Sequence, residues 1–302
     1  MFVRLYTPFI QIRKMLKKLY SIFVFICVIS WSTAQAAVIR QSLYINRGLF
    51  ETVIQTKFPY IAFNSDRTFS AVNTVINLKT TDQLIVTVIN TDSVPHGFDI
   101  TNHSLKTVIA PADSITDTLL FDREGVFIYY DSYAYPNYRY LGEAGMICVD
   151  NSISTKKFYW NLKEHQVNFN EQLVANKTVS WSNYSPDFFT INSYSFPYTM
   201  DDTTAVISAK VGDTVRIFVA NTGQSAHSIH FHGFHCKVIQ ATREEQIGWE
   251  KDTFPIRSME TIVLELVPDK PGHYSVHDHN LTAVTGAGLH PKGMLVLMAI
   301  NN

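Results

Sequence analysis

The chain has 302 residues, 46% hydrophobic and 17% charged, with a formal net charge of −1. This is ordinary globular composition, long enough for one large domain or two of average size. Three cysteines are too few for a disulfide framework in a chain of this size.

Residues 1–36 read as a secretory leader, "MLKKLYSIFVFICVISWSTAQA". Lys17 and Lys18 form its basic start, Leu19 to Trp31 its apolar stretch, and Ala34-Gln35-Ala36 an A-x-A cleavage site. The apolar stretch is short for a membrane span. The alternative is an uncleaved anchor, and the true start is either Met1 or Met15. Export places the mature protein in a secreted or periplasmic compartment. Cleavage removes Arg4, Arg13, Lys14, Lys17 and Lys18 and leaves 20 Lys+Arg against 26 Asp+Glu, a net of −6 with His neutral. That charge argues against nucleic acid as a partner. Cys27 leaves with the leader, and Cys148 and Cys236, in apolar strand-like contexts, read as two buried free thiols.

From residue 40 onward, short alternating runs are separated by Asn, Asp, Gly and Pro. "DQLIVTVIN", "GVFIYYD", "DTVRIFVAN", "TIVLELV" and "GMLVLMAI" are strand-like, and no long stretch keeps a helical apolar period. The expectation is an all-β sandwich architecture. The runs also repeat. "DQLIVTVINTDSVPHGF" aligns without gaps on "DTVRIFVANTGQSAHSI", with Asp82/Asp213, Asn90/Asn221 and His96/His227 all 131 apart. "GVFIYYD" fits "GHYSVHD" at an offset of 147, and "GMICV" fits "GMLVL" at 148. The economical reading is two copies of one β domain, at about 38–150 and 161–302, joined by "NSISTKKFYW". Both copies then have the same order of strands, and the second has about 16 extra residues after its first His cluster.

That cluster is "AHSIHFHGFHCKV", with four of the chain's 11 histidines; a second follows in "HYSVHDHNL". Residues two apart on a strand share a face. His230 and His232 therefore lie together, as do His277 and His279. If the strands are neighbours, the pairs make a patch of four imidazoles, with His227, Asp278 and Met294 on the opposite face. Four convergent imidazoles suit copper, zinc, iron or nickel. His103 and His165 read as ordinary surface or core residues, and so do His235 and His273. No Gly-rich phosphate loop, G-x-S-x-G elbow or H-E-x-x-H helix is present.

At these residues the chain resembles the multicopper oxidase family. "GDTVRIFVANTGQSAHSIHFHG" and "YSVHDHNLTAVTGAGLHPKGMLVL" look like parts of that family's final cupredoxin domain, and the repeat extends the likeness more weakly to the first copy. The resemblance implies two tandem cupredoxin-like Greek-key β-sandwich domains. It also implies copper at His230, His232, His277 and His279, for which zinc is the alternative metal that four imidazoles suit. Two-domain relatives imply a homotrimer with metal between subunits, and a small molecule or metal ion as electron donor.

A blue-copper site in this family is held by His, Cys, His and often Met. Here His227 and Met294 match two of those positions, but Asp278 stands for the Cys and His290 is the nearest substitute for the second His. The first copy has His96, Asp131 and Met146 at matching places, and Asp99, Thr101, Tyr130 and Ser132 where the second has its four imidazoles. Its "YYDSYAYPNYRYLG" replaces the ligand loop, either as an aromatic packed loop or as a redox or partner-binding one. His96 and Tyr130 are its nearest approach to a metal site. Three functions stay open: a copper-dependent oxidoreductase without blue copper, a periplasmic metal-binding or carrier protein without turnover, and a structural cupredoxin with a vestigial site. With no thiolate ligand, the copper-loaded protein is expected to lack the intense visible band of blue copper. An absorption spectrum checks this, and a strong band overturns it.

Overall fold

The computed structural model describes residues 36–302 apart from Ser154, and the leader read over residues 1–36 lies, but for Ala36, outside the described residues. The first half contains β1 (Val38–Glu51), β2 (Lys57–Asn64), β3 (Val75–Leu78), β4 (Gln83–Asn90), β5 (His96–Ile100), β6 (His103–Ile109), β7 (Ser114–Leu120), β8 (Gly125–Tyr130), the turn of helix α1 (Asn137–Tyr140) and β9 (Ala144–Val149). The second contains β10 (Lys156–His165), helix α2 (Val167–Val174), β11 (Phe188–Ile191), β12 (Ile207–Lys210), β13 (Val215–Asn221), β14 (His227–Phe231) and β15 (Cys236–Ala241). It continues through β16 (Glu250–Lys251), β17 (Thr253–Ile256), β18 (Thr261–Leu266), β19 (Gly272–Asp278) and β20 (Leu295–Asn301).

The strands form four sheets, in the orders β2-β1-β4-β7, β3-β9-β8-β5-β6, β11-β10-β13-β18-β15-β16 and β12-β20-β19-β14-β17. The fold is an all-β, cupredoxin-like sandwich, built twice. In each half the opening strand runs parallel to a later one, β1 to β4 and β10 to β13. Val38–Asn302 is one compact unit. The segment read as a connection is partly strand, because β10 already begins at Lys156. The two halves share one order of strands, and the second adds two. The residues added after the first His cluster form β15 and β16, which extend the third sheet, so β17 rather than β15 flanks β14.

Strand composition follows from what covers each face. β4 alternates buried and half-buried residues, as expected for a sheet with one face on a core. β8 and β9 are buried almost throughout. Phe127, Tyr129, Ile147 and Val149 point into the first sandwich, whereas Val126, Ile128, Met146 and Cys148 pack on Phe218, Ala220 and Val263 of the second. Covering both faces requires the continuous apolar runs "GVFIYY" and "AGMICV". Helix α2 gives Phe169 and Leu173 to the core of the first half, so the second half closes the first.

Trp160 anchors the second core. It is fully buried, lies against Phe231 with ring centroids 5.7 Å apart, and donates its indole N–H to Ala205 O at 2.8 Å. Trp160→Ala is expected to cost about 3–5 kcal/mol of unfolding free energy through the cavity it leaves. Trp160→Phe, which strands the Ala205 carbonyl, should cost about 1–3 kcal/mol. Denaturant titrations of the two variants check both size and order.

Candidate metal centre

β14 and β19 are antiparallel neighbours with His230 opposite His277. This register sets the outward imidazoles side by side. Ring centroids are 4.8 Å apart for His230–His232, 5.0 Å for His232–His277 and 5.4 Å for His230–His279. His230 and His277 are half-buried, and His232 and His279 are exposed.

Their neighbours fix which nitrogen is free. The Thr253 hydroxyl donates to Asp252 at 3.0 Å, so it accepts from His230 Nδ1 at 2.9 Å. The carbonyl of Asp278 can only accept, so His277 Nδ1 donates to it at 2.8 Å. Both rings therefore present a bare Nε2, the arrangement in which a second hydrogen bond orients a metal-binding histidine. His232 Nε2 and His277 Nε2 lie 2.9 Å apart. Two such nitrogens sit this close only with a proton or a cation between them. Imidazole donors with exposed Nε2 atoms fit copper.

The inward face holds a different arrangement. His227 is buried, with Nδ1 2.5 Å from Asp278 and Nε2 3.0 Å from Glu164. Glu164, on β10, also accepts from the N–H groups of Gln224 and Ser225, both at 2.7 Å, and from the Tyr184 hydroxyl at 3.1 Å. Burial opposes charge on His227, but its hydrogen bonds to Asp278 and Glu164 and their charges win, raising its pKa to about 9. Burial likewise opposes charge on Glu164, and the His227 bond and charge hold it at about 2.

The structure thus brings His227 and Asp278 together, and the Asp278 N–H reaches Met294 O at 3.3 Å. The Met294 side chain lies in the core, and His290 is exposed. Both nitrogens of His227 are occupied by carboxylates, so this face does not fit a blue copper. His235 and His273 are exposed. His165 is buried among Phe50, Phe58, Tyr60 and Tyr140; burial and the nearby Lys163 lower its pKa to about 3, so it is a neutral core ring.

The first half repeats the inward arrangement with exchanged parts. His96 is fully buried, with Nδ1 2.8 Å from Asp131 and Nε2 3.0 Å from Asp92. Strand register gives the equivalences. β1 and β4 against β10 and β13 place Arg47 where Glu164 stands and Asp92 where Gly223 stands. Arg47 holds Asp92 at 2.5 Å, and a Cβ at Gly223 would lie 1.9 Å from Glu164 Oε2. Gly125 opposes Val149, and Gly272 opposes Ile300. Met146 therefore corresponds to Leu297, and Met294 to Glu143, three residues from the pairing that the two "GM" motifs suggest. The Asp131 N–H reaches Glu143 O at 3.0 Å, just as that of Asp278 reaches Met294 O. Asp99 and Tyr130 occupy the places of His230 and His277, with the Tyr130 hydroxyl 3.3 Å from Asp99.

Glu164, Glu143, Asp92 and Arg139 were missed by sequence reasoning. Arg139 is buried in the tyrosine-rich loop and donates to the carbonyls of Thr222 and Gly223 at 2.6 and 2.7 Å and to Gln224 at 2.6 Å. It ties that loop to the turn that supports Glu164. Much of the loop is packed, with Tyr138 and Tyr140 buried and the Tyr133 and Tyr138 rings stacked at 6.2 Å. Tyr135 stays half exposed.

Doubled sandwiches with paired His-x-His strands define a cupredoxin-type protein. Residues 168–291 match the family model described as multicopper oxidase, so the chain carries a multicopper-oxidase-type domain. Among solved structures, the fold is similar to the blue copper oxidase of Nitrosomonas europaea, at 21% identity and a TM-score of 0.74 over 87% of this chain and 86% of that one. It is similar to the multicopper oxidase mgLAC, at 21% identity and a TM-score of 0.74 over 88% and 86%. It is also similar to the copper nitrite reductase of Nitrosomonas europaea, at 18% identity and a TM-score of 0.69 over 88% and 94%. No curated protein matches the sequence.

The inward pair predicts a pH dependence. The His227 pKa rises on folding from 6.5 to about 9. Its contribution is therefore complete below pH 6.5, declines as the pH climbs, and is gone above about 9. Thermal melts should show stability falling across that window, with the His227 ring titrating near its upper end by NMR. Flat stability there would refute the assignment.

Proposed function

We propose that the protein is an exported copper-binding protein of the multicopper-oxidase type, which takes copper on His230, His232, His277 and His279. The observation that carries this reading is the 2.9 Å approach of His232 Nε2 to His277 Nε2 on a ring whose other nitrogen is tied to a backbone carbonyl. Bound copper supplies a Cu(I)/Cu(II) couple at the surface. The chain's own residues set its surroundings: Thr253 and the Asp278 carbonyl orient two rings, and the exposed His232 and His279 leave an open side for a small-molecule or metal-ion donor. Copper held there would exchange electrons directly with a donor outside, because both nitrogens of His227 behind the patch are held by carboxylates. The same openness also favours a carrier without turnover.

Elemental analysis tests the reading. Wild-type protein should retain copper after desalting. His232→Ala/His277→Ala should lose it, and Thr253→Ala, which frees His230 Nδ1, should weaken it about tenfold. Copper retained in full by the double variant would overturn the assignment. Oxygen uptake by the loaded protein with a phenol, a metal ion or Cu(I) as donor separates oxidoreductase from carrier.

A further inference from the structure

The first half holds a second group of potential ligands, away from the imidazole patch. Among the described residues, His96, Asp131 and Glu143 form a cluster of three ligand atoms within 4.8 Å of one another. His96 Nδ1 lies 2.8 Å from Asp131 Oδ2 and 2.9 Å from Glu143 Oε1. All three side chains have zero exposure. Asp131 is held in place through its other oxygen, which accepts from the N–H groups of Gly97 at 2.8 Å and Tyr133 at 2.6 Å. Glu143 is different. Neither of its oxygens has a hydrogen bond of acceptable geometry, although Oε1 lies beside the imidazole.

A buried carboxylate without a hydrogen-bond partner calls for an explanation. The His96 imidazole beside it shares its Nδ1 with Asp131, and the other cations nearby are engaged elsewhere. Lys163 donates to the Gly142 carbonyl, Arg47 is engaged with Asp92, and Arg139 with the 222–224 turn. Three carboxylates, Asp92, Asp131 and Glu143, face one imidazole and the Arg47 guanidinium. The second half sets two carboxylates rather than three about its imidazole, because Met294 occupies the place of Glu143.

We propose that His96 Nδ1, Asp131 Oδ2 and Glu143 Oε1 hold a divalent cation inside the first sandwich. Donors at right angles around a cation at about 2.1 Å stand about 3 Å apart, close to the two separations observed. One nitrogen and two carboxylate oxygens suit a cation that accepts hard ligands, such as Mn²⁺, Fe²⁺ or Co²⁺, rather than the thiolate-loving Cu(I). The surrounding shell fits as well. His96 Nε2 donates to Asp92 at 3.0 Å, and Arg47 clamps Asp92, the carboxylate–histidine relay that orients a metal ligand. On binding, the cation replaces the Nδ1 proton, which is released to solvent.

The test uses Co²⁺ as the probe. The variant His230→Ala/His232→Ala/His277→Ala/His279→Ala removes the outer patch and leaves this cluster intact, so success or failure here is independent of the copper reading. Because the site is buried, the metal-stripped protein is refolded with Co²⁺ and desalted. The fourfold variant should retain about one Co²⁺ per chain, with the weak visible absorption of an oxygen- and nitrogen-ligated ion. Adding Glu143→Gln, which preserves shape but removes the ligand charge, should lower retention at least tenfold. A metal-free melt close to that of its parent would show that the fold survives. Absence of Co²⁺ in the fourfold variant, or equal retention after Glu143→Gln, would overturn the proposal.

Discussion

A buried imidazole gripped on both nitrogens by carboxylates is the constraint around which each half is organised. In the second half it joins three segments distant in sequence: β14 through His227, β19 through Asp278 and β10 through Glu164. Removing one partner from such a group strands a charge in the core, at a cost of about 3–5 kcal/mol. The halves reach the same grip by exchanging roles. In the second, the strand supplies the carboxylate and the loop must be glycine, because a Cβ at Gly223 would overlap Glu164. In the first, the loop supplies Asp92 and the strand carries the balancing Arg47.

That grip separates the two faces of the sheet chemically. β14 and β19 alternate, so His227 and Asp278 turn inward while His230 and His277 turn outward. The inward pair is closed by charge and needs no ion. It nevertheless shapes the outer face, because the Asp278 backbone carbonyl fixes the tautomer of His277 while its carboxylate grips His227. One residue thus serves both faces, through its main chain on one side and its side chain on the other.

Strand alternation made much of this legible. The alternation of β4 and the face-sharing of the four histidines follow from a period of two, whereas β8, β13 and β18 read as short apolar runs. The carboxylate partners were harder to see. Glu164 lies 63 residues before His227 and meets it only through the parallel pairing of β10 with β13. Asp92 had a signal, since "NTD" in the first repeat stands against "NTG" in the second. Glu143 was hidden by the matching "GM" pairs, which align three residues away from the structural register. A shift by an odd number of residues exchanges the faces of a strand. It set Met146 beside Met294, although Met146 lies between the sandwiches and Met294 lies within one. The additional strands β15 and β16 arose from an insertion whose place was visible but whose sheet was not.

The repeat also limits how the outer patch could be completed by another copy of the chain. A head-to-tail ring would set the second half of one copy against the first half of the next. The equivalent face there carries Asp99, Thr101, Tyr130 and Ser132, with Tyr130 already bonded to Asp99. Such a contact adds oxygen donors but no imidazole. A two-fold contact between second halves brings eight imidazoles together, because an isologous interface sets the same patch on both sides. The chain's own sequence therefore ties the number of imidazoles around a metal to the symmetry of any assembly it forms.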